Sequence, residues 1–371
     1  MSLAQQVKEE ARRAGFDLVG ITGAQPPPHA DYFQEWLARG YHGEMGYLSR
    51  ADAVRRRADP AAALPGARSV VVVALNYHLD DDGPVDSPER AVLARYARGD
   101  DYHAIFEEKL GALARFLETN GGRAKCYVDY GPVLERDLAQ RAGLGWIGKN
   151  TVLIHPEIGS YIFLGEILTD LELEPDPPFT ADRCGTCTRC IEACPTGAIK
   201  GPRELDARLC ISYLTIELRG PIPRELRPLI GNRVFGCDIC QEVCPWNRYI
   251  PETKEERFKP REVPGSELVE LMGLDDDAFE RRYGTSPVSR AKRGGFLRNV
   301  AVALGNWGAP EAVPALARAL DDPDPLVRGH AAWALGRIGS AESEAALAQR
   351  RGEEEDDSVR EEIELALGTR G

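Results

Sequence analysis

The chain has no run of about twenty consecutive apolar residues, so it offers no helix to span a bilayer. Its opening residues, Met1 to Glu10, show neither a basic segment backed by an apolar one nor a twin-arginine pair. The expectation is a cytoplasmic protein with reduced thiols and no membrane partner. No glycine-rich dinucleotide fingerprint follows a strand. Gly143-Leu-Gly145-Trp-Ile-Gly148 has G-x-G-x-x-G spacing but comes after a helical segment. It reads as a turn where the backbone approaches something closely, and it gives no ground for NAD or flavin. Positive charge is also short: 46 Lys and Arg against 59 Asp and Glu leave a net charge of −13, which argues against general affinity for nucleic acid. The shortage is uneven. Residues 281–300 hold Arg281, Arg282, Arg290, Lys292, Arg293 and Arg298 and no acid, Arg55 to Arg57 form a second basic cluster, and the last fifty residues are acidic.

Cysteine is not short. Of nine, eight lie between Cys184 and Cys244. The first run, Cys184-x2-Cys187-x2-Cys190-x3-Cys194-Pro195, has the bacterial ferredoxin spacing, in which three cysteines hold one 4Fe–4S cluster and the fourth reaches the other. A second run, Cys237-x2-Cys240-x3-Cys244-Pro245, follows, with Cys210 between them. The spacing assigns Cys184, Cys187, Cys190 and Cys244 to one cluster. It assigns Cys194, Cys210, Cys237 and Cys240 to the second. The proline after each run holds back the next helix. Zinc sites use C-x2-C pairs but rarely this triple followed by x3-C-P, and disulfide frameworks belong to small secreted chains. The chain therefore moves single electrons.

At 371 residues there is room for two or three domains. Residues 3–14 read as a helix and 16–21 as a strand. Ser69 to Tyr77 is a continuous β-branched run, hence a buried strand. A helix is expected over 103–119, a strand over 124–130, a helix over 134–142 and one or two strands over 160–173. Mixed order of this kind makes an α+β domain. Pro175 to Pro178 is a linker into the cluster segment, and a Pro- and charge-rich connector covers 251–265. Beyond it, Arg298-Asn-Val-Ala-Val-Ala-Leu-Gly305 is echoed from Arg328 and again from Arg360, at spacings of 30 and 32 residues, each echo preceded by another helix. That is a two-helix, HEAT-like repeat, which buries a core only by stacking and leaves an extended surface for a large partner.

The segments Val128-Asp129-Tyr-Gly131-Pro, Arg141-Ala-Gly-Leu-Gly-Trp-Ile-Gly-Lys-Asn150, the first cysteine run through Ala198, Cys210-Ile-Ser-Tyr-Leu-Thr215 and Gly231-Asn-Arg-Val-Phe-Gly-Cys237 to Pro245, with Arg136, resemble the epoxyqueuosine reductase family over essentially the whole chain. The resemblance implies a cobalamin enzyme with two 4Fe–4S clusters. Such an enzyme reduces the epoxide of the modified anticodon base to the alkene, the last step of queuosine formation in tRNA. It implies an α/β cobalamin-binding domain over 1–175, a ferredoxin-like domain over 176–250, and a linker with HEAT-like repeats over 251–371. An external electron donor and a monomeric state go with that reading.

By the same resemblance Asp129 is the proton donor and a cofactor neighbour, its carboxyl raised in pKa by burial beside the corrin. Arg57, Leu153, Leu164 and Ser212 are cofactor contacts. The nearest approach to a cobalt-ligating histidine motif is Asp101-Tyr-His103, which lacks the glycine, so the cobalamin is expected base-off with no histidine ligand. Some family members carry a cysteine near the corrin where this chain has Leu93-Ala-Arg-Tyr96, so no catalytic thiol is expected. Cys126 is read as structural. Lys292, Arg293 and Arg298 are the candidate tRNA contacts, since phosphate recognition needs cations. The rival readings are a cobalamin-dependent reductive dehalogenase and a non-catalytic electron carrier.

Overall fold

The structure is a computed structural model that describes residues 1–80, 87–260 and 265–368. Residues 261–264 of the expected connector lie outside them. The chain forms two compact units, each assembled from separate stretches. One is Met1–Leu79, Asp101–Arg208 and Ile239–Phe258. The other is Asp80–Asp100, Leu209–Asp238 and Lys259–Gly371. The expected 176–250 segment is thus divided between them.

The first unit is built on a four-stranded antiparallel sheet of β1 (Leu18–Gly23), β2 (Ser69–Asn76), β3 (Ala124–Tyr127) and β4 (Ile162–Thr169), in the order β1-β2-β4-β3. Every residue of β2 is buried, as its unbroken apolar run requires of a central strand covered on both faces. Each buried valine there stabilises the fold by about 2 kcal/mol. Helix α1 (Leu3–Arg13) starts at a capping box of Ser2 and Gln5. The longer α4 (Tyr102–Thr119) starts where Asp101 accepts from the His103 amide at 3.0 Å, and it turns Ile105, Phe106, Leu110, Leu113 and Leu117 inward. Between them in sequence come α2 (Ala30–Ala38) and α3 (Ala51–Ala58). On the other face of the sheet α5 (Glu135–Arg141) adds Leu138 and Ala139 to a core with Val70, Val72, Ala74 and Tyr127. Strand β3 stops at Tyr127, three residues short of the expected Tyr130, because the chain turns sharply at Asp129.

The glycine cluster has a structural explanation. A Cβ at Gly145, where φ is +155°, would lie 2.2 Å from the Ile154 carbonyl oxygen. The close approach expected from sequence is to the chain's own Leu153–Ile154 strand, which pairs with Trp146–Ile147.

In the second unit α6 (Lys292–Trp307), α7 (Val313–Ala319), α8 (Pro325–Ile338), α9 (Ala341–Arg351) and α10 (Asp357–Gly368) stack as the two-helix periodicity predicts. The array is stitched to the 209–238 stretch by buried polar side chains. Arg298, 1% exposed, donates to the carbonyls of Leu214, Leu218 and Gly220 at 2.7–2.8 Å. Asn299 donates to Thr215 and Val234. These facts correct the reading of the basic stripe. Arg298 cannot meet a phosphate, because its guanidinium is enclosed and occupied. Arg293 is engaged by both carboxylate oxygens of Asp322. Lys292 alone of the three is exposed.

His330 of α8 is buried, accepts from the Ile222 amide at 3.2 Å through Nε2 and places Nδ1 2.7 Å from the Leu326 carbonyl. Burial, with Arg227 and Arg298 nearby, holds its pKa well below 6.5. The folded state keeps it neutral while the unfolded chain protonates it, so its contribution is present above pH 6.5 and lost below it. We expect the unfolding free energy to fall as pH drops below 6.5, by up to about 1.4 kcal/mol per pH unit, as read from chemical denaturation. A flat profile in that window would remove this role for His330.

Candidate functional site

Asp129 is held in a tight three-residue turn. Its φ is 55°, and the Tyr130 amide donates to the Val128 carbonyl across it at 2.5 Å. Turns of this hand are rare and strained, and such strain collects at working sites. The turn presents the carboxyl outward, 64% exposed. Protein atoms alone therefore do not supply the burial expected for it.

Tyr102, the first residue of α4, donates to Asp129 Oδ2 at 2.5 Å. The His103 ring stacks between Tyr102 and Tyr130, with centroids 4.3 and 5.1 Å away. Its Nε2 lies 4.0 Å from Asp129 Oδ2, and its Nδ1 is 2.9 Å from Asp101. The sequence reading weighed His103 only as a cobalt ligand and missed it, with Tyr102, as a neighbour of the acid. The signal was available: both sit at the capped start of a helix.

Two further acids lie behind the turn. Glu135 opens α5 and Glu166 is fully buried in β4, directly across from Tyr127. Burial first, then the charge of Asp129, pushes the Glu135 carboxyl up to about 8. Glu166 is raised well above the ordinary range by burial, then by Glu135 and Asp129. Neither acid was singled out from sequence, although one charge inside Ile-Phe-Leu-Gly-Glu166-Ile-Leu is a signal in itself.

Arg57 is 6% exposed. Its Nη2 donates to the Gly131 carbonyl at 3.2 Å and the Phe33 ring covers it at 5.6 Å. It braces the far end of the Asp129 loop. Leu153 is likewise core. Leu164 and Ile162 are half-buried at the end of β4 that lies beside the end of β3, hence at the Asp129 end of the sheet. Ser212 is half-buried on the Ile211–Ile216 helix of the second unit. Cys126 is half-buried, its thiol 3.8 Å from the Leu110 carbonyl and pushed up to about 11, chiefly by burial, which suits a structural role.

The same unit holds a cysteine cradle. Cys184, Cys187, Cys190 and Cys244 line one cavity together with Lys149 and Trp246. Lys149 Nζ donates to the carbonyls of Gly185 and Cys187 at 2.7 and 2.9 Å and fixes that loop. The Trp146 indole N–H points at Cys184 Sγ, 3.4 Å away. Burial raises the thiols of Cys190 and Cys244, and Cys184 and Cys187 raise both further. The four cysteines line one cavity, although among the described residues no three close to single-ion coordination distance. These are the four residues that spacing assigned to one cluster. The short helices Arg189–Glu192 and Ile239–Glu242, which carry Cys190 and Cys240, pack on each other. Cys194 is in this unit as well, and Cys210 and Cys237 belong to the other.

Comparison with known proteins bears on the whole chain. Residues 57–130 match the family described as Epoxyqueuosine reductase QueG, DUF1730. Residues 183–247 match the 4Fe-4S double cluster binding domain, and 295–368 match HEAT repeats. The epoxyqueuosine reductase of Pseudomonas aeruginosa is 45% identical over 346 residues, covering 91% of this chain and 95% of that one. A crystal structure of selenomethionine-labelled epoxyqueuosine reductase superposes with a TM-score of 0.92 at 34% identity, covering 98% of each chain. An epoxyqueuosine reductase solved with an epoxyqueuosine-modified tRNA-Tyr stem loop gives 0.91 at 34% identity, again covering 98% of each. No helix among the described residues is long and apolar enough to cross a membrane. With relatives this similar over nine-tenths of its length, the chain belongs to the epoxyqueuosine reductase family.

Proposed function

We propose that this chain reduces the epoxide of epoxyqueuosine in tRNA to the alkene of queuosine. Two electrons and two protons release the oxygen as water. The observation that carries the reading is one compact unit holding both a four-cysteine cradle and an outward-facing acid, Asp129, fixed in a strained turn. Asp129 protonates the departing oxygen. Tyr102 orients the carboxyl by bonding one oxygen, and Arg57 holds the loop beyond it.

The family implies cobalamin. Half-buried Ile162 and Leu164 offer an apolar floor at the Asp129 end of the sheet, and the outward-facing Asp129 carboxyl supplies a polar edge beside it. Those features fit a large ring with an apolar face and a polar rim. When bound, cobalamin supplies a reducible cobalt centre. Leu164, Asp129 and Ser212 are the contacts we assign, with Arg57 and Leu153 shaping the surface from behind. His103, stacked and turned toward Asp129, supports the base-off reading.

Cys184, Cys187, Cys190 and Cys244 hold the first cluster. Sequence spacing gives Cys194, Cys210, Cys237 and Cys240 the second. Functionally we divide the chain into 1–175 for cofactor and chemistry, 176–250 for the clusters, and 251–371 for the linker and repeats. Both electrons originate outside the chain, so an external donor is required. Of the basic candidates, Lys292 is the one left to meet tRNA phosphate.

The direct test is anaerobic incubation of the reduced, cobalamin-loaded protein with tRNA bearing epoxyqueuosine, followed by nucleoside mass analysis. Loss of one oxygen mass is the expected result. An unchanged nucleoside, with clusters and corrin intact, would overturn the reading. A second test concerns Trp146. Its N–H toward Cys184 stabilises the more negative, reduced cluster, so Trp146→Phe should lower that cluster's midpoint potential. An unchanged potential in an EPR-monitored titration would dismiss the indole as a donor.

A further inference from the structure

The Asp129 turn rests on a pair of acids that the reaction as described does not use. Glu166 belongs to β4, on the sheet face covered by α5, and Glu135 is the first residue of that helix. Both oxygens of Glu166 and Oε1 of Glu135 are cut off from solvent and have no donor. As two carboxylates they have nothing to give each other, yet they stand close enough to hydrogen-bond once one of them is protonated. Two buried like charges in contact cannot both ionise cheaply, and the usual resolution is one proton between them.

The surroundings offer no other resolution. From α3, Arg57 faces Glu135 but gives its hydrogen bond to the Gly131 carbonyl. From α5, Arg136 also faces it, and bonds the Thr151 carbonyl at 2.9 Å. From β3, Tyr127 lies directly across from Glu166 with a buried hydroxyl that has no partner, and Lys125 donates to the Ala63 carbonyl. From β2, the residue across from Glu166 is the apolar Val72. The remaining charge felt by both acids is Asp129 itself. Glu135 therefore senses the charge of the strained turn, and Arg57, which senses Glu135 in turn, bonds the Gly131 carbonyl at the far end of that turn.

We propose that Glu135 and Glu166 share a single proton, and that the pair in this state positions the Asp129 turn. The inference rests on the reading of Asp129 as the acid. Loss of the shared proton sets two buried charges against each other under the turn and lets it move, so the pair imposes an alkaline limit on turnover that does not come from Asp129. Both glutamates act through Asp129 and are positioning residues.

The test has two arms, both on the full-length protein. In the first, pH-difference infrared spectroscopy of the protein without substrate should show a protonated carboxylic band at neutral pH that bleaches at alkaline pH. Glu166→Gln should shift the band and move the pH at which it bleaches, since Glu135 then titrates without its partner. Absence of the band, or a band indifferent to Glu166→Gln, overturns the shared proton. In the second arm, Glu166→Gln should move the alkaline limb of the turnover profile by at least one pH unit, and Glu135→Gln should lower kcat several-fold with little change in KM. An unmoved limb alongside a band that behaves as expected overturns the positioning role. A fully active Asp129→Asn would remove the acid reading while leaving the infrared result standing, so the two failures are distinguishable.

Discussion

Asp129→Asn is expected to lower turnover by roughly two to four orders of magnitude, the usual contribution of a positioned general acid. The substitution isolates the proton from everything else the residue does. Asparagine tolerates the left-handed backbone that Asp129 adopts, so the strained turn survives. Its side-chain oxygen still accepts from Tyr102, which sits 2.5 Å from the native carboxylate. What the amide lacks is a transferable proton. Substrate affinity should stay within a few-fold, placing the loss in kcat. The measurement is single-turnover reduction of epoxyqueuosine tRNA with cofactor content verified. Full activity would end the acid role and direct attention to Tyr102, the remaining proton donor in contact with the turn.

Arg298→Ala is expected to destabilise the second unit by about 3–5 kcal/mol and to leave the salt dependence of tRNA binding unchanged. The guanidinium satisfies the carbonyls of Leu214, Leu218 and Gly220 and also bonds Asn299 Oδ1. Removing it strands four acceptors, those of Leu214 and Asn299 fully buried, and leaves a cavity, two of the few mechanisms with effects this large. Chemical denaturation checks the first statement, and binding isotherms at several salt concentrations check the second. A variant of native stability with weakened, less salt-sensitive tRNA binding would restore the surface reading of the basic stripe.

That reversal shows where sequence was legible and where it was not. Cysteine spacing is set by the local geometry of a cluster, and it picked out the same four residues that line the cradle. Strand β2 was legible because burial on both faces forces an unbroken apolar run. The repeats were legible because each helix pair must present the same face to its neighbours. Arg298 misled because the charge count of a window ignores which face a residue occupies. It sits among Phe296, Leu297 and Val300, an apolar setting that signalled burial. Asp129 cut its strand short through a turn stabilised by Tyr102 and Arg57, contacts distant in sequence. The Glu135–Glu166 pair was invisible for the same reason: a helix start and a strand middle meet only in the fold.

The division of the chain into interleaved stretches also governs how the protein can be made. Three sulfurs of the first cradle, Cys184, Cys187 and Cys190, leave the ribosome together, but Cys244 comes from the last stretch of that unit, Ile239–Phe258. At about 5–20 residues per second, that fourth ligand arrives several seconds later. The sheet, by contrast, is complete once Thr169 has been made. Under the proposed ligand set, the first cluster can close only after every strand of the sheet has been made, and a chain stopped before Ile239 should retain no four-ligand first cluster.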